Sequence, residues 1–370
     1  MQTSKQTKNA LGYFFIAGIW AVFLALGAFF FGVFAIYADF KSPHTSFLSR
    51  RLGLESVARR LYWTYFRPGW QDGKGYTQFD PALVYIPRPG KSGFRSPDFD
   101  VTLTFAPDTT RRQPPPADPS APLVIVAGDS YAMGWGVQDN ETYSYLLATR
   151  YGWNTINTGV PGYGAPRELL RMQKLGLLKR STAIVIDFAI KDPKENRAYL
   201  DDPPGFIAKK NAAELWRNMQ HYHQQTVSFP SILQFTCWDF RDQFKSGGWA
   251  GWWSSICTGN DPFGKRVDVG FSGEAMVGDF LKVLGQFPEL RGKPVIVLEI
   301  DDYGSHSDFM PQLQRVSAQY PGIVPLPIAY ERADFFRFDN HLNAVGHDHV
   351  ARCVNQALIS ILHPAASKPN

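Results

Sequence analysis

LVIVAGDSYAMGWGV, residues Leu123–Val137, runs apolar for five residues and then breaks into a Gly-Asp-Ser turn with further glycines at Gly134 and Gly136. A short, wholly apolar run that ends in turn residues reads as a strand buried on both faces, as in a parallel sheet. Two readings of Ser130 are open. It is a small residue that a tight turn needs, or a nucleophile at the carboxyl end of a strand, where open parallel sheets bind their ligands. Backbone N–H groups beyond such a turn are placed to face a developing negative charge.

The rest of the chain supports the parallel sheet. After a proline cluster, QPPPADPSAP at 113–122, apolar runs at 123–127, 155–157, 183–188, 231–235, 294–300 and 322–325 alternate with helical patterns. The helical patterns fall at 142–151, 167–178, 212–224, 274–287, 307–319 and 344–362. Strands alternating with helices predict a three-layer α/β domain around a parallel sheet, over 122–365. Residues 39–121 precede it as a juxtamembrane helix and a turn-rich β lead-in. Within that helix, FLSRRLGLESVARRLYWTY (47–65) interleaves arginine pairs with apolar residues at helical spacing. It reads equally as an amphipathic helix lying on lipid, arginines toward phosphates, or as a surface helix packed on the main domain.

Residues 1–10 form a short tail, and Leu11–Ala38 then carries no charged residue at all. About 20 apolar residues cross a bilayer as a helix, so 11–38 is expected to be a transmembrane anchor. Lys5 and Lys8 lie on one side, and Lys41, Arg50 and Arg51 on the other, so the charge rule leaves the orientation close to even. The formal charge of +5 comes from scattered lysines and arginines, which gives no nucleic-acid signature.

Of the three cysteines, Cys237 and Cys257 flank one loop-like region and would pair if it faced an oxidising compartment. Cys353 reads as a buried thiol in a helix, and no cysteine has zinc-site spacing. The stretch 238–271, with SGGWAGWW at 246–253, reads as a long irregular insertion. Its Trp249, Trp252 and Trp253 would stack on sugar rings, dip into the bilayer interface or form a small satellite core.

A nucleophilic serine needs a base, and the base needs an orienting group. RFDNHLNAVGH (337–347) puts His341 on a loop ahead of a helical pattern, with Asp339 two residues away. His347 and His349 have no matching carboxylates or cysteines, so no metal is expected there, and no cofactor is expected elsewhere.

AGDSYAMGWGV (127–137) and DNHLNAVGH (339–347) resemble the first and last blocks of the SGNH/GDSL hydrolase family, and NTGVPGYG (157–164) resembles its second. The lead-in at 80–95 is similar to that of membrane-associated bacterial members, and the Asp-x-His spacing resembles that of alginate O-acetyltransferase-like proteins. The likeness covers about 80–200 and the C-terminal block, while roughly 200–290 does not match. It implies a flavodoxin-like α/β fold with a Ser130/His341/Asp339 triad and an oxyanion hole from the N–H groups of Ser130 and Gly162. It also implies a signal-anchored, single-pass inner-membrane protein with a periplasmic domain.

The implied activity is that of a serine esterase or O-acyltransferase on acyl esters or carbohydrates of the envelope, with a membrane-bound acyl-donor protein as a partner. The alternative is a weak or inactive domain kept as a polysaccharide-binding scaffold. One departure matters. The family's third block is a Gly-x-Asn-Asp turn after a strand, and here AIVIDF (183–188) leads into AIKDP. Lys191 stands where the asparagine that completes the oxyanion hole is expected. The Gly259-Asn260-Asp261 triplet follows no strand and reads as a turn.

Overall fold

The computed structural model describes residues 2–42, 46–68, 76–203, 205–209, 224–257, 270–301 and 307–363. Two compact units emerge, one from residues 1–67 with 225–262 and the other from 68–224 with 263–370.

Among the described residues the larger unit carries nine strands: β1 (Thr77–Asp80), β2 (Val84–Pro87), β3 (Gly90–Arg95), β4 (Asp100–Phe105), β5 (Leu123–Ala127), β6 (Asn154–Asn157), β7 (Ala183–Phe188), β8 (Val295–Glu299) and β9 (Ile323–Pro325). β5 to β9 form a wholly parallel sheet in the order β6-β5-β7-β8-β9. The period-2 alternation of strand side chains divides the core into two. Ile125, Ile184, Ile186 and Val297 face a cluster with Leu169, Phe280 and Phe309, from helices Ala165–Lys174, Gly273–Gly285 and Phe309–Val316. Val124, Val126, Val185 and Ile296 face the other way, onto Leu147, Val350 and Val354 from helices Tyr143–Tyr151 and Ala344–Leu362. Each fully buried aliphatic side chain contributes about 1.5–3 kcal/mol relative to exposure. The three-layer α/β architecture expected from the sequence is present.

The strand order reverses at β5: β6 lies on one side of it, and β7 to β9 follow on the other. The crevice at the carboxyl ends of β5 and β7 is therefore the switch point at which open sheets bind ligands. Ser130 follows β5 and Lys191 follows β7. The lead-in closes over this end. The β3–β4 hairpin packs Phe94, Phe99 and Leu103 on Met133 and Trp135, just beyond Ser130.

In the smaller unit, Gln2–Lys41 is one helix whose segment from Phe15 is long and apolar enough to cross a membrane. Apolar side chains from Tyr13 to Phe34 stand exposed, whereas Val33, Ala35, Ile36 and Phe40 are buried. Phe40 packs edge-on against Tyr62 and Phe66, and Tyr65 stacks on Phe235 at 4.1 Å.

Here the structure corrects two expectations. Residues 231–235 are helical, inside Phe229–Cys257, with Ile232 and Phe235 buried at a helical spacing of three. A five-residue apolar run alone does not separate strand from helix. The stretch 238–257 is likewise helix rather than irregular loop, broken only at Gly248, where φ is +59°. Cys237 is a free, exposed thiol on this helix. The side chains of Trp249, Trp252, Trp253 and Cys257, the Gly259-Asn260-Asp261 triplet and residues 212–223 of the helix expected at 212–224 lie outside the described residues.

Candidate active site

Gly128 makes the turn after β5 possible. Its φ is +148°, and a Cβ there would run into the Asp187 carboxylate. That carboxylate, from β7, accepts the Asp129 N–H at 3.1 Å and the Ala132 N–H at 3.2 Å. Asp129 caps the short helix Ser130–Met133 by accepting the Tyr131 N–H at 2.8 Å. From the second block, the Asn157 amide donates to the Ala132 carbonyl at 2.7 Å. The serine is thus held at the lip of the sheet by its neighbours' hydrogen bonds, and its own side chain is left to face the histidine.

The distant C-terminal block comes to the same place. His341 Nε2 lies 2.8 Å from Ser130 Oγ, and His341 Nδ1 is hydrogen-bonded to Asp339 Oδ1. With the Nδ1 proton donated to Asp339, Nε2 is the free base that accepts the serine proton. The loop is fixed from both ends. Asn343 caps the helix Ala344–Leu362 by accepting the Val345 and Gly346 N–H groups, and Phe336 donates its N–H to the His341 carbonyl at 2.9 Å. Tyr131 lies over the imidazole with ring centroids 4.8 Å apart.

Two supports of this chain were not visible in the sequence. Trp135 Nε1 donates to Asp339 Oδ2 at 3.3 Å, so both carboxylate oxygens are occupied. Asp98, at the tip of the β3–β4 hairpin, accepts the backbone N–H groups of Phe338 and Asp339 at 2.7 and 2.6 Å. Burial, together with the Asp339 charge, pushes the Asp98 carboxyl up to about 7 against the pull of these N–H groups and of Arg332. Asp98→Ala leaves two buried donors unpaired, each costing about 1–3 kcal/mol. The variant should lose about 2–6 kcal/mol of stability, the sum over the two donors, measurable by chemical denaturation of the full chain.

Lys191 has a definite place. Its ammonium forms an ion pair with Asp129 Oδ2, beside the serine, while close to half of its side chain stays exposed. Burial disfavours the ammonium, but Asp129, Asp192 and Asp187 outweigh it and hold the lysine charged, above its ordinary value. Lys191 shares a cavity of about 320 Å³ with Gly162, Gly164, Arg167, Lys194 and Glu195. Among the described residues, no large apolar side chain lines it. Gly162, at φ +75°, ends a turn whose carbonyl accepts from Arg167, and Arg167 is itself held by Glu195 at 2.7 Å. The N–H groups of Ser130 and Gly162 have no acceptor among the described residues.

His347 and His349 turn away from the serine. His349 pairs with Asp334 at 3.1 Å, and His347 Nδ1 accepts the Tyr143 N–H at 3.3 Å. Burial, with the charges of Arg111 and His341, lowers the His347 imidazole to about 3. Between about 6.5 and 3 the unfolded chain therefore binds a proton that the folded chain refuses, so stability falls as pH falls through that window. The full effect is on the order of 5 kcal/mol. His347→Gln should flatten the acid limb of a stability-against-pH curve, read from denaturant midpoints between pH 7 and 4.

No family model and no curated protein matches the chain. Among solved structures it is similar to a member of the lipolytic protein G-D-S-L family from Veillonella parvula DSM 2008, at 13% identity and TM-score 0.34, over 66% of this chain and 100% of that one. It is also similar to a carbohydrate esterase family 2 enzyme plus carbohydrate binding domain from Corynascus thermopiles (Myceliophthora fergusii), at 14% identity and TM-score 0.34, over 68% of this chain and 69% of that one. The lipase/acylhydrolase from Enterococcus faecalis is similar at 16% identity and TM-score 0.26, over 64% of this chain and 95% of that one.

Proposed function

We propose that this chain is a membrane-anchored serine esterase or O-acyltransferase of the SGNH/GDSL type. In this reading it handles acetyl or similar acyl esters on an envelope polysaccharide or glycoconjugate, from the outer side of the inner membrane. The observation that carries the reading is the unbroken hydrogen-bond chain Ser130–His341–Asp339, assembled from blocks more than 200 residues apart.

His341 Nε2 takes the Ser130 proton as Oγ attacks the ester carbonyl, and Asp339 holds the imidazole tautomer and balances the imidazolium. The N–H groups of Ser130 and Gly162 receive the oxyanion. Lys191, in the place of the family's asparagine, keeps one bond to Asp129, and an ammonium has three donors in all. It stands in the wall of the Gly162 cavity. Collapse of the tetrahedral intermediate expels the alcohol, protonated by His341, and leaves an acyl-Ser130. Water completes hydrolysis, and a sugar hydroxyl completes transfer.

The charged side chains Arg167, Lys191, Lys194 and Glu195 around the cavity beside Gly162 suit a hydroxyl-rich group better than an acyl chain, which favours carbohydrate over bilayer lipid as substrate. Transfer would draw on an acyl donor presented by a membrane partner. The test is p-nitrophenyl acetate turnover by the full chain in detergent or nanodiscs, with and without sugar acceptors. Turnover of the ester supports the reading, and an acetylated sugar in the product assigns transfer. Inertness toward esters, with Ser130 equally unreactive toward a fluorophosphonate, would favour the binding-scaffold alternative, with the Lys191–Asp129 pair as its physical reason.

A further inference from the structure

The smaller unit carries a second cavity, of about 480 Å³, at the end of the long apolar helix. Its walls are Ala38, Phe47 and Leu48 on the apolar side and Lys41, Ser42 and Arg51 on the polar side, with Ser46 between them. A buried carboxylate orders the turn that carries Ser46 and Leu48. Asp39 accepts from Ser46 Oγ at 2.5 Å, from the Leu48 N–H at 2.9 Å and from the Ser49 N–H at 3.1 Å, and Ser49 Oγ donates to it as well. Asp39 is fully buried and committed to this turn.

Charge makes the cavity unusual within its unit. Arg50 and Arg59 both pair with Glu55, at 3.7 and 3.5 Å, and Arg60 pairs with Asp239 at 3.0 Å. Lys41 and Arg51 have no carboxylate partner among the described residues, although they line one cavity. Two cations sharing a concave wall with the Ser42 hydroxyl and apolar surface match an anionic group that carries hydrocarbon.

The level of the cavity points the same way. The exposed apolar stretch from Tyr13 to Phe34 covers about 33 Å of helix at 1.5 Å per residue, close to the hydrocarbon thickness of a bilayer. Ala38 and Lys41 lie one and two turns beyond Phe34, which is the depth of lipid headgroups. Exposed Phe47 and Leu52 flank the same turn.

We infer that this cavity binds the phosphate of an anionic phospholipid, held by Lys41 and Arg51, with the lipid's chains running down the exposed face of the helix. The inference rests on reading Gln2–Lys41 as a membrane span. It is separate from the chemistry at Ser130.

The test uses the full chain in nanodiscs of mixed phosphatidylglycerol and phosphatidylcholine, followed by native mass spectrometry of the lipids it retains on release. Wild type should retain one phosphatidylglycerol, enriched over phosphatidylcholine by roughly 25-fold, the product of two cations each worth about fivefold at a membrane surface. The double variant Lys41→Gln/Arg51→Gln should lose that enrichment. Arg50→Gln, a neighbouring cation outside the cavity wall, should keep it. Equal retention of the two lipids by wild type, or equal loss in Arg50→Gln, overturns the site. So does retention of added inorganic phosphate in place of lipid. A chain that stays in the nanodisc without lipid preference leaves the membrane span standing and removes the cavity's role. A chain that leaves the nanodisc altogether removes the span, and the inference with it.

Discussion

Ser130→Ala should lower ester hydrolysis by about 10⁶-fold in kcat while leaving the fold unchanged. The expected size follows from what the serine does in the proposed chemistry. With no Oγ there is no acyl intermediate, and His341 has no proton to accept, so what remains is the oxyanion hole and binding alone. The fold should not suffer, because the turn is held by other atoms. Asp187 binds the Asp129 and Ala132 N–H groups, and Asp129 caps the helix, so the hydroxyl is not among the turn's supports. Steady-state turnover of p-nitrophenyl acetate, with thermal unfolding as the control, separates the two. A variant that keeps a tenth of wild-type kcat would mean that the hydrolysis comes from elsewhere in the chain.

Asp339→Asn should cost about 10⁴-fold in kcat, with KM little changed. An asparagine fits the space, but its amide has a donor where the carboxylate had an acceptor. Whichever way it turns, either Trp135 Nε1 or His341 Nδ1 loses its acceptor. The Trp135 indole has no other tautomer. The imidazole does, so it takes the form with its proton on Nε2 and can no longer accept from Ser130. Asp98 is untouched by this change and keeps its grip on the backbone N–H groups of Phe338 and Asp339, so the loop should stay in place. The split between a collapsed kcat and a preserved KM distinguishes a wrong tautomer from a displaced loop, which would raise both terms of the loss together. Pre-steady-state acylation rates check it directly.

These contacts show what was legible in the sequence. The strand ending at Ala127, the GDS turn and the DNH block are each local patterns, and their order along the chain resembles a known family, so Ser130, His341 and Asp339 were readable. The sheet was readable too, because a strand buried on both faces, such as AIVIDF, has to be apolar almost throughout. Its one charged residue, Asp187, was the visible sign of a buried support, since a carboxylate inside such a strand must have partners. Asp98 gave no such sign. It sits in a polar turn of the lead-in, 241 residues from the backbone it binds, and only the packing of the hairpin on Trp135 brings it there.

The helix Phe229–Cys257 is hidden in its sequence for a related reason. Its apolar residues are spread among aromatics, glycines and polar residues, so its first turns looked like a strand and the rest like a loop. Packing against other helices of its unit decides the matter, through contacts such as Tyr65 on Phe235 and Arg60 on Asp239. Lys191 lies between these cases. The resemblance implies an asparagine at its position, but the side chain reaches back to Asp129, and no spacing rule encodes that bond.

The measurement closest to the central claim is covalent labelling of the full chain by a fluorophosphonate, with the modified residue located by peptide mass spectrometry. A serine activated by His341 should take up one equivalent, on Ser130, and His341→Ala should abolish the labelling without unfolding the chain. Label on another residue, or labelling of Ser130 that persists at the wild-type rate in His341→Ala, would contradict the account.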